Sequence, residues 1–311
     1  MGVPVVLVTG FLGAGKTTLV NHMLRHANGR RIAALVNDFG AINIDAELIA
    51  GAADGVVSLA NGCICCTLEG DLLSTLAAVL RRDPGPDAIV IESSGVADPA
   101  GIVRSLMDPG VWRSAPLDTA VCVVDAARPD LEDDALFRAQ VAAADVLALS
   151  KCDAATDVGG FRTRLRALKP AAVLVEAVHG AVPPEVLFSP NVFSPGPLLQ
   201  DLPAPRRPGR IGPFADRFES LSWTADRPVS LPRFAATLDR LAPRLVRAKG
   251  VLAVAGRPEP LLLQLVGGRA ALSPAGPAPE GAPVVRLVFI AELGHLPSDE
   301  LRTALENCLA D

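Results

Sequence analysis

Gly10, Gly13 and Gly15, followed by Lys16 and Thr17 in "GFLGAGKT" (10–17), have the spacing G-x-x-x-x-G-K-[ST]. Glycines at those places let the backbone curl until successive N–H groups face one anion. A lysine next to them can reach β- and γ-phosphates, and a threonine hydroxyl can hold Mg²⁺. An apolar run, "PVVLV" (4–8), precedes the loop and a helical stretch, "KTTLVNHMLRHA" (16–27), follows it. A helix N-terminus there adds the positive end of its dipole. The chemistry indicated is nucleotide phosphate binding.

Two further stretches fit that chemistry. "IVIESSG" (89–95) ends a buried run with Glu92, placed as an acid that organises Mg²⁺ or its water, and Gly95 can offer its N–H to a γ-phosphate. The alternative is a carboxylate that simply ends a strand. "LALSKCD" (147–153) is similar to the guanine-reading N-K-x-D, with Ser150 where asparagine is usual. Asp153 can accept the ring N–H and exocyclic amine of guanine, a pair that adenine lacks. Lys151 can lay its stem over the base. Guanine is therefore expected over adenine.

A third chemistry is carried by thiols. "NGCICCTLEGDL" (61–72) holds Cys63, Cys65 and Cys66, half of the six cysteines in the chain. Thiolates just ahead of a helix are stabilised by its dipole and become better ligands. Three such thiolates leave one position open on a four-coordinate ion such as Zn²⁺, which suits an exchangeable site. A redox pair of Cys63 with Cys66, and plain packing of small residues, are the alternatives. His22 and His26 are four apart on the helix after the glycine loop, a metal-compatible spacing. With no carboxylate or thiol evident beside them, they are read as structural, as are His179 and His295.

The elements that must position these groups alternate up to about residue 178. Expected strands are 4–8, 31–37, 87–92, 119–126, 145–150 and 171–177, with helices at 16–27 and 70–82 between them. Near-continuous apolar strands separated by helices indicate a parallel sheet covered on both faces. The first domain is thus α/β and spans 1–178. Nine prolines fall between 179 and 213, which reads as an extended linker. Residues 214–311 read as a smaller α+β domain. It has a strand at 218–225, a helix at 231–245, three more strands and a closing helix from Pro297-Ser298. Cys308 falls on the apolar face of that helix and is expected in the core.

Half of the residues are hydrophobic and the net charge is −5, which disfavours a nucleic-acid partner and an anionic membrane surface. No apolar run reaches about 18 residues, and the N-terminus lacks the charged region of a secretory signal. Six cysteines in 311 residues are too few for a disulfide scaffold. A reducing, cytoplasmic setting is expected.

The ordered set "GFLGAGKTT", "NDFGAINID", "NGCICC", "IESSGVADP" and "SKCD" resembles the CobW family of metal-trafficking P-loop GTPases. That family is grouped with the nickel accessory GTPases of urease and hydrogenase. "RAKGVL" (247–252) is similar to its R-x-K-G segment. The resemblance covers nearly the whole chain. It implies a P-loop GTPase domain with a CobW-like C-terminal α+β domain. It further implies a pocket of Gly13, Ala14, Gly15, Lys16, Thr17 and Thr18, with base readout at Ser150, Lys151 and Asp153. Zn²⁺, or a similar ion such as Co²⁺, would sit at Cys63, Cys65 and Cys66, to be delivered to a client metalloprotein. The chain departs from the family at Val36 and Ala41, where many members carry glutamates, the first of them a candidate metal ligand. Asp38 keeps one carboxylate there, and no histidine-rich stretch is present.

The expected activity is GTP hydrolysis to GDP and phosphate that drives metal transfer, with Mg²⁺ on Thr17 and Glu92. The segment around Asp38 would sense the γ-phosphate, and the adjacent thiols would gain or lose affinity with nucleotide state. No glutamine follows Gly95, so hydrolysis without a partner is expected to be slow. Asp38 and Glu92 are the carboxylates able to orient the water. A nucleotide-gated metal sensor, an activator of one metalloenzyme such as a cobalt enzyme, and an ATP-dependent kinase or redox protein remain alternatives. So does a homodimer.

Overall fold

The computed structural model describes residues 2–27, 29–36, 56–58, 68–188, 209–210, 218–275, 282–295 and 298–310. Asp38, Cys63, Cys65 and Cys66 lie outside them. The chain divides into two compact units, Met1–Phe188 and Ser189–Asp311. Residues 179–188, expected in the linker, therefore belong to the first unit. Val182, Val186, Leu187 and Phe188 are buried in it, because apolar side chains interrupt the prolines of that stretch.

The strands of the first unit are β1 (Val5–Thr9), β2 (Ile32–Val36), β3 (Val56–Ser58), β4 (Ala88–Glu92), β5 (Leu117–Asp125), β6 (Val146–Ser150) and β7 (Val173–Glu176). They form one sheet in the order β3-β2-β4-β1-β5-β6-β7, and every pairing is parallel. The β-branched and leucine-rich runs seen in the sequence are these strands apart from β3, which the sequence reading did not expect, and most of them are wholly enclosed. The helices are α1 (Lys16–Arg25), α2 (Leu68–Leu80), α3 (Ala100–Met107), α4 (Pro109–Trp112), α5 (Ala135–Ala143), α6 (Val158–Leu168) and α7 (Pro184–Leu187). Leu72 and Leu76 of α2 and Ile102 and Leu106 of α3 pack on Leu7, Leu35 and Ile91. Phe137 of α5 and Phe161 of α6 pack on Val124, Leu147 and Leu149. With all strands parallel, their carboxyl ends share one edge. The loops leaving that edge carry Gly10, Gly95, Asp125, Ser150 and Ala177.

The second unit holds β8 (Gly209–Arg210), β9 (Phe218–Ala225), β10 (Arg247–Leu252), β11 (Leu261–Val266), β12 (Arg269–Pro274) and β13 (Val285–Glu292), with α8 (Leu231–Leu241) and α9 (Ser298–Glu306). Its sheet is antiparallel, in the order β12-β11-β10-β13-β9-β8. Phe234 and Leu238 of α8, Leu301 and Leu305 of α9, and Cys308 pack with Trp223, Leu265 and Phe289. Cys308 is thus in the core, as its helix face implies. Three features differ from the sequence expectation. The helix expected to run to 245 stops at Leu241 and tightens into a 3₁₀ turn over Ala242–Arg244, because Pro243 has no N–H to donate. β12 is an added strand, half-exposed and alternating, on the sheet edge. β8 comes from the stretch expected as linker.

Gly250 explains the glycine of "RAKG". β10 and β13 run antiparallel with Gly250 opposite Leu287, and a Cβ on Gly250 would collide with the Arg286 carbonyl oxygen. Gly250→Ala should lower unfolding stability by about 1–3 kcal/mol, the usual range for forced overpacking, read as a shifted urea midpoint.

Candidate functional site

The glycine loop leaves β1 in a conformation that only glycine adopts easily. Gly10, Gly13 and Gly15 have φ of +137°, +73° and +101°. At Gly10 space also forbids a side chain, since the Val123 carbonyl of the neighbouring strand lies where a Cβ would be. Gly15 precedes α1 without any side-chain cap. With no side-chain cap and no acid in its first turn, the positive end of that ten-residue helix is suited to an anion. Lys16 is largely buried, and its Nζ donates to the Phe11 carbonyl at 3.3 Å, which folds the ammonium over the loop.

Thr17 and Glu92 meet. The Thr17 hydroxyl donates to Glu92 Oε1 at 2.8 Å, and Glu92 is only 2% exposed. The sheet register causes this contact. Glu92 pairs with Val8 across β4 and β1, so it stands beside the start of the loop. A hydroxyl and a carboxylate are hard oxygen donors, which fits Mg²⁺ and would suit softer ions poorly. Gly95 packs directly on the loop: a Cβ there would lie 2.8 Å from the Leu12 backbone.

The end of β6 divides its labour differently from the sequence reading. Ser150, expected in base readout, sends its hydroxyl to the Ala14 carbonyl at 2.6 Å, with the Val124 carbonyl at 3.3 Å. It ties the glycine loop to the sheet. Lys151 has φ of +53°, and its ammonium bonds Asp125 Oδ2 at 2.6 Å. Asp125 is itself fixed by the Ala127 N–H at 3.0 Å. Asp153 is exposed beside them. Lys151 and Asp153 line a cleft of about 390 Å³ whose opposite wall is Ala14, Gly15 and Thr18.

Sequence reasoning missed the remaining wall. Val178, His179 and Gly180 close the cleft as a tight turn, with Ala181 N–H bonded to the Val178 carbonyl at 2.9 Å. His179 and Gly180 have φ of +49° and +78°, and the turn rests against the Thr18 carbonyl. The sequence reading set His179 aside as isolated and placed it in a linker. The available signal was its position just past the carboxyl end of an expected strand, where ligand-binding loops of open α/β sheets collect.

Among the described residues, Cys152 alone of the other cysteines and histidines reaches the cleft. Cys122 on β5 is fully enclosed, and burial pushes its thiol up to about 12. Cys152 lines the cleft half-buried, its thiol also raised by burial. The His22 and His26 rings stack at 4.0 Å, and burial, then the neighbouring His26 and Arg25, lowers the His22 pKa. Among the described residues no three His, Cys, Asp or Glu side chains are grouped to hold a metal ion. No helix among them is long and apolar enough to cross a membrane.

The fold and this cleft define a nucleotide-binding domain of the P-loop class, joined to a separate α+β unit. The profile of the CobW/HypB/UreG nucleotide-binding domain matches residues 4–176, and that of the cobalamin synthesis protein cobW C-terminal domain matches residues 218–309. The chain belongs to the CobW family. It is 32% identical to the zinc chaperone YjiA of Escherichia coli, over 97% of each chain. To the zinc chaperone CobW of Pseudomonas aeruginosa it is 34% identical, over 86% of this chain and 81% of that one. The crystal structure of the Zn(II)-bound YjiA GTPase from E. coli aligns over 100% of both chains, with 27% identity and a TM-score of 0.46.

Two outcomes follow from this geometry. Ser150→Ala leaves the Ala14 carbonyl without its donor and should weaken GTP and GDP alike, by about fivefold to tenfold, in a fluorescent-nucleotide titration. Alkylation with iodoacetamide at pH 8 should spare Cys122 and Cys308 until the protein is denatured. At a pKa of about 12 the Cys122 thiolate fraction there is on the order of 10⁻⁴. Peptide mass mapping reads the result.

Proposed function

We infer that this protein is a GTP-hydrolysing metallochaperone, which holds Zn²⁺ or a similar divalent ion on Cys63, Cys65 and Cys66 and passes it to a client metalloprotein. The observation that carries the nucleotide half is the Thr17–Glu92 contact at the mouth of an uncapped α1. Membership of the CobW family supports the metal half, as do relatives named zinc chaperones. A relative from Dictyostelium discoideum named zinc-regulated GTPase metalloprotein activator 1 is 28% identical over 82% of this chain.

The amides from Gly13 to Thr18 cradle the phosphates, and Lys16 turns from the Phe11 carbonyl toward the β- and γ-phosphates. Thr17 and Glu92 would hold Mg²⁺, which when bound would neutralise charge building on the phosphate oxygens. Water attacks the γ-phosphorus, the bond to the β–γ bridging oxygen breaks, and GDP and inorganic phosphate leave. Glu92 is already engaged by Thr17, so it serves the cation, and Asp38 is the carboxylate left to orient the water. Asp153 reads guanine while Lys151, held by Asp125, lies over the ring. In sequence the three thiols sit between the Asp38 segment and β4. Nucleotide state and metal affinity are thereby linked along one stretch of chain, and binding of each alters the other by the same factor.

Titrating the protein with Zn²⁺ in the presence of Mg²⁺ and either GDP or a non-hydrolysable GTP analogue tests the whole. The affinity should differ between the two nucleotides by at least about fivefold, and Cys65→Ser should abolish the tighter phase. An affinity that ignores both the nucleotide and the thiol rejects the carrier reading. Tighter binding of ATP than GTP rejects the base assignment.

A further inference from the structure

Gln140 lies outside every motif the sequence displays, yet it touches the loop that carries Gly95. It sits on α5, and its side chain is wholly enclosed, with 0% exposure. Its Nε2 donates to the Gly95 carbonyl at 3.2 Å and to the Ala97 carbonyl at 3.3 Å. Exchanging the amide's nitrogen and oxygen would set an acceptor against two carbonyls, so the hydrogen-bond pattern itself requires the orientation given. Its Oε1 meets no donor among the described residues. A buried acceptor left in that state is unfavourable and is retained only where something else fixes the side chain.

The surroundings do fix it. Asp134 caps α5 by accepting from the Leu136 and Phe137 amides, and Phe137 and Val141 are locked in the core. The amide is therefore presented by a rigid helix to a loop packed against Leu12 of the glycine loop. Holding the Gly95 carbonyl orients the peptide unit between Gly95 and Val96. Holding the Ala97 carbonyl as well pins the loop at two points two residues apart. In the same loop Ala97 N–H bonds the Ser94 carbonyl at 3.1 Å, and Val96 N–H lies 3.4 Å from Ser94 Oγ.

We propose that Gln140 is a positioning residue for GTP hydrolysis, which clamps the Gly95–Ala97 loop and favours its γ-phosphate-bound arrangement over the GDP one. Oε1 supplies the bias. A loop movement toward a γ-phosphate that brings a loop N–H to Oε1 gains a bond that no described residue gives it in the present arrangement. GDP offers no γ-phosphate for Gly95 and so draws no such movement. This rests on the GTPase reading above, and it assigns to α5 a role that none of the sequence motifs marks.

Gln140→Leu keeps the shape and removes both functions of the amide. Gln140→Glu keeps the length and restores a donor only when protonated, and a carboxylate facing two carbonyls in a dry site takes up a proton readily. The measurements are single-turnover GTP hydrolysis, affinity for GDP and for a non-hydrolysable GTP analogue, and the melting temperature. Gln140→Leu should slow hydrolysis and weaken the GTP analogue by about fivefold to tenfold, with GDP affinity within about twofold of wild type. The deficit of Gln140→Glu should shrink as pH falls from 8 to 6. Equal weakening of both nucleotides, or unchanged hydrolysis in a folded variant, overturns the proposal. Hydrogen exchange of the unsubstituted protein tests it even if neither variant folds: amides of residues 95–97 should be better protected with the GTP analogue than with GDP, and equal protection overturns it. A wild-type protein that hydrolyses no GTP would instead sink the underlying GTPase reading.

Discussion

The hydrogen bond from Thr17 to Glu92 joins two stretches of chain 75 residues apart, and the geometry of the site is organised around it. It can form only because β1 and β4 are adjacent and parallel, with Val8 opposite Glu92. A slip of one residue would turn Glu92 to the other face of the sheet and put Ile91 or Ser93 in its place, neither of them a carboxylate. The strand order is thus a chemical requirement as well as an architectural one. Inserting β4 between β1 and β2 places an acid from the middle of the domain beside a hydroxyl from its start.

The glycine loop is then held from several sides. Val123 of β5 blocks it at Gly10, Gly95 just after β4 leans on Leu12, and Ser150 of β6 bonds Ala14. Such a loop is pre-organised, so little ordering remains to be done when the nucleotide binds. The same logic extends to the base side. The Asp125–Lys151 pair is half-exposed, and its value lies less in stability than in fixing where the lysine stem lies.

Much of this was legible beforehand. All strands of the first unit but β3 were visible because both of their faces are buried, which leaves uninterrupted apolar runs. The loop 10–17, Glu92 and "SKCD" were legible because glycine, acid and lysine at fixed offsets have few other uses. β12 was not legible, since an edge strand with one exposed face reads "RAALSP" and alternates weakly. The turn at 178–181 was hidden because its signal is a backbone conformation, and proline enrichment downstream obscured where the domain ends. Gln140 was invisible, since a lone glutamine on a helix carries no pattern.

By itself the sequence determined the class of fold, the phosphate-binding chemistry, the thiol cluster and the family. These depend on residue types at short spacings and on the period of apolar residues, both written along the chain. Only the tertiary structure decided that Thr17 meets Glu92, that Ser150 serves the glycine loop, that residues 178–180 wall the cleft, and that Gln140 grips the Gly95 loop. Those are contacts between residues dozens of positions apart. Their existence depends on strand order and register, which local pattern does not encode.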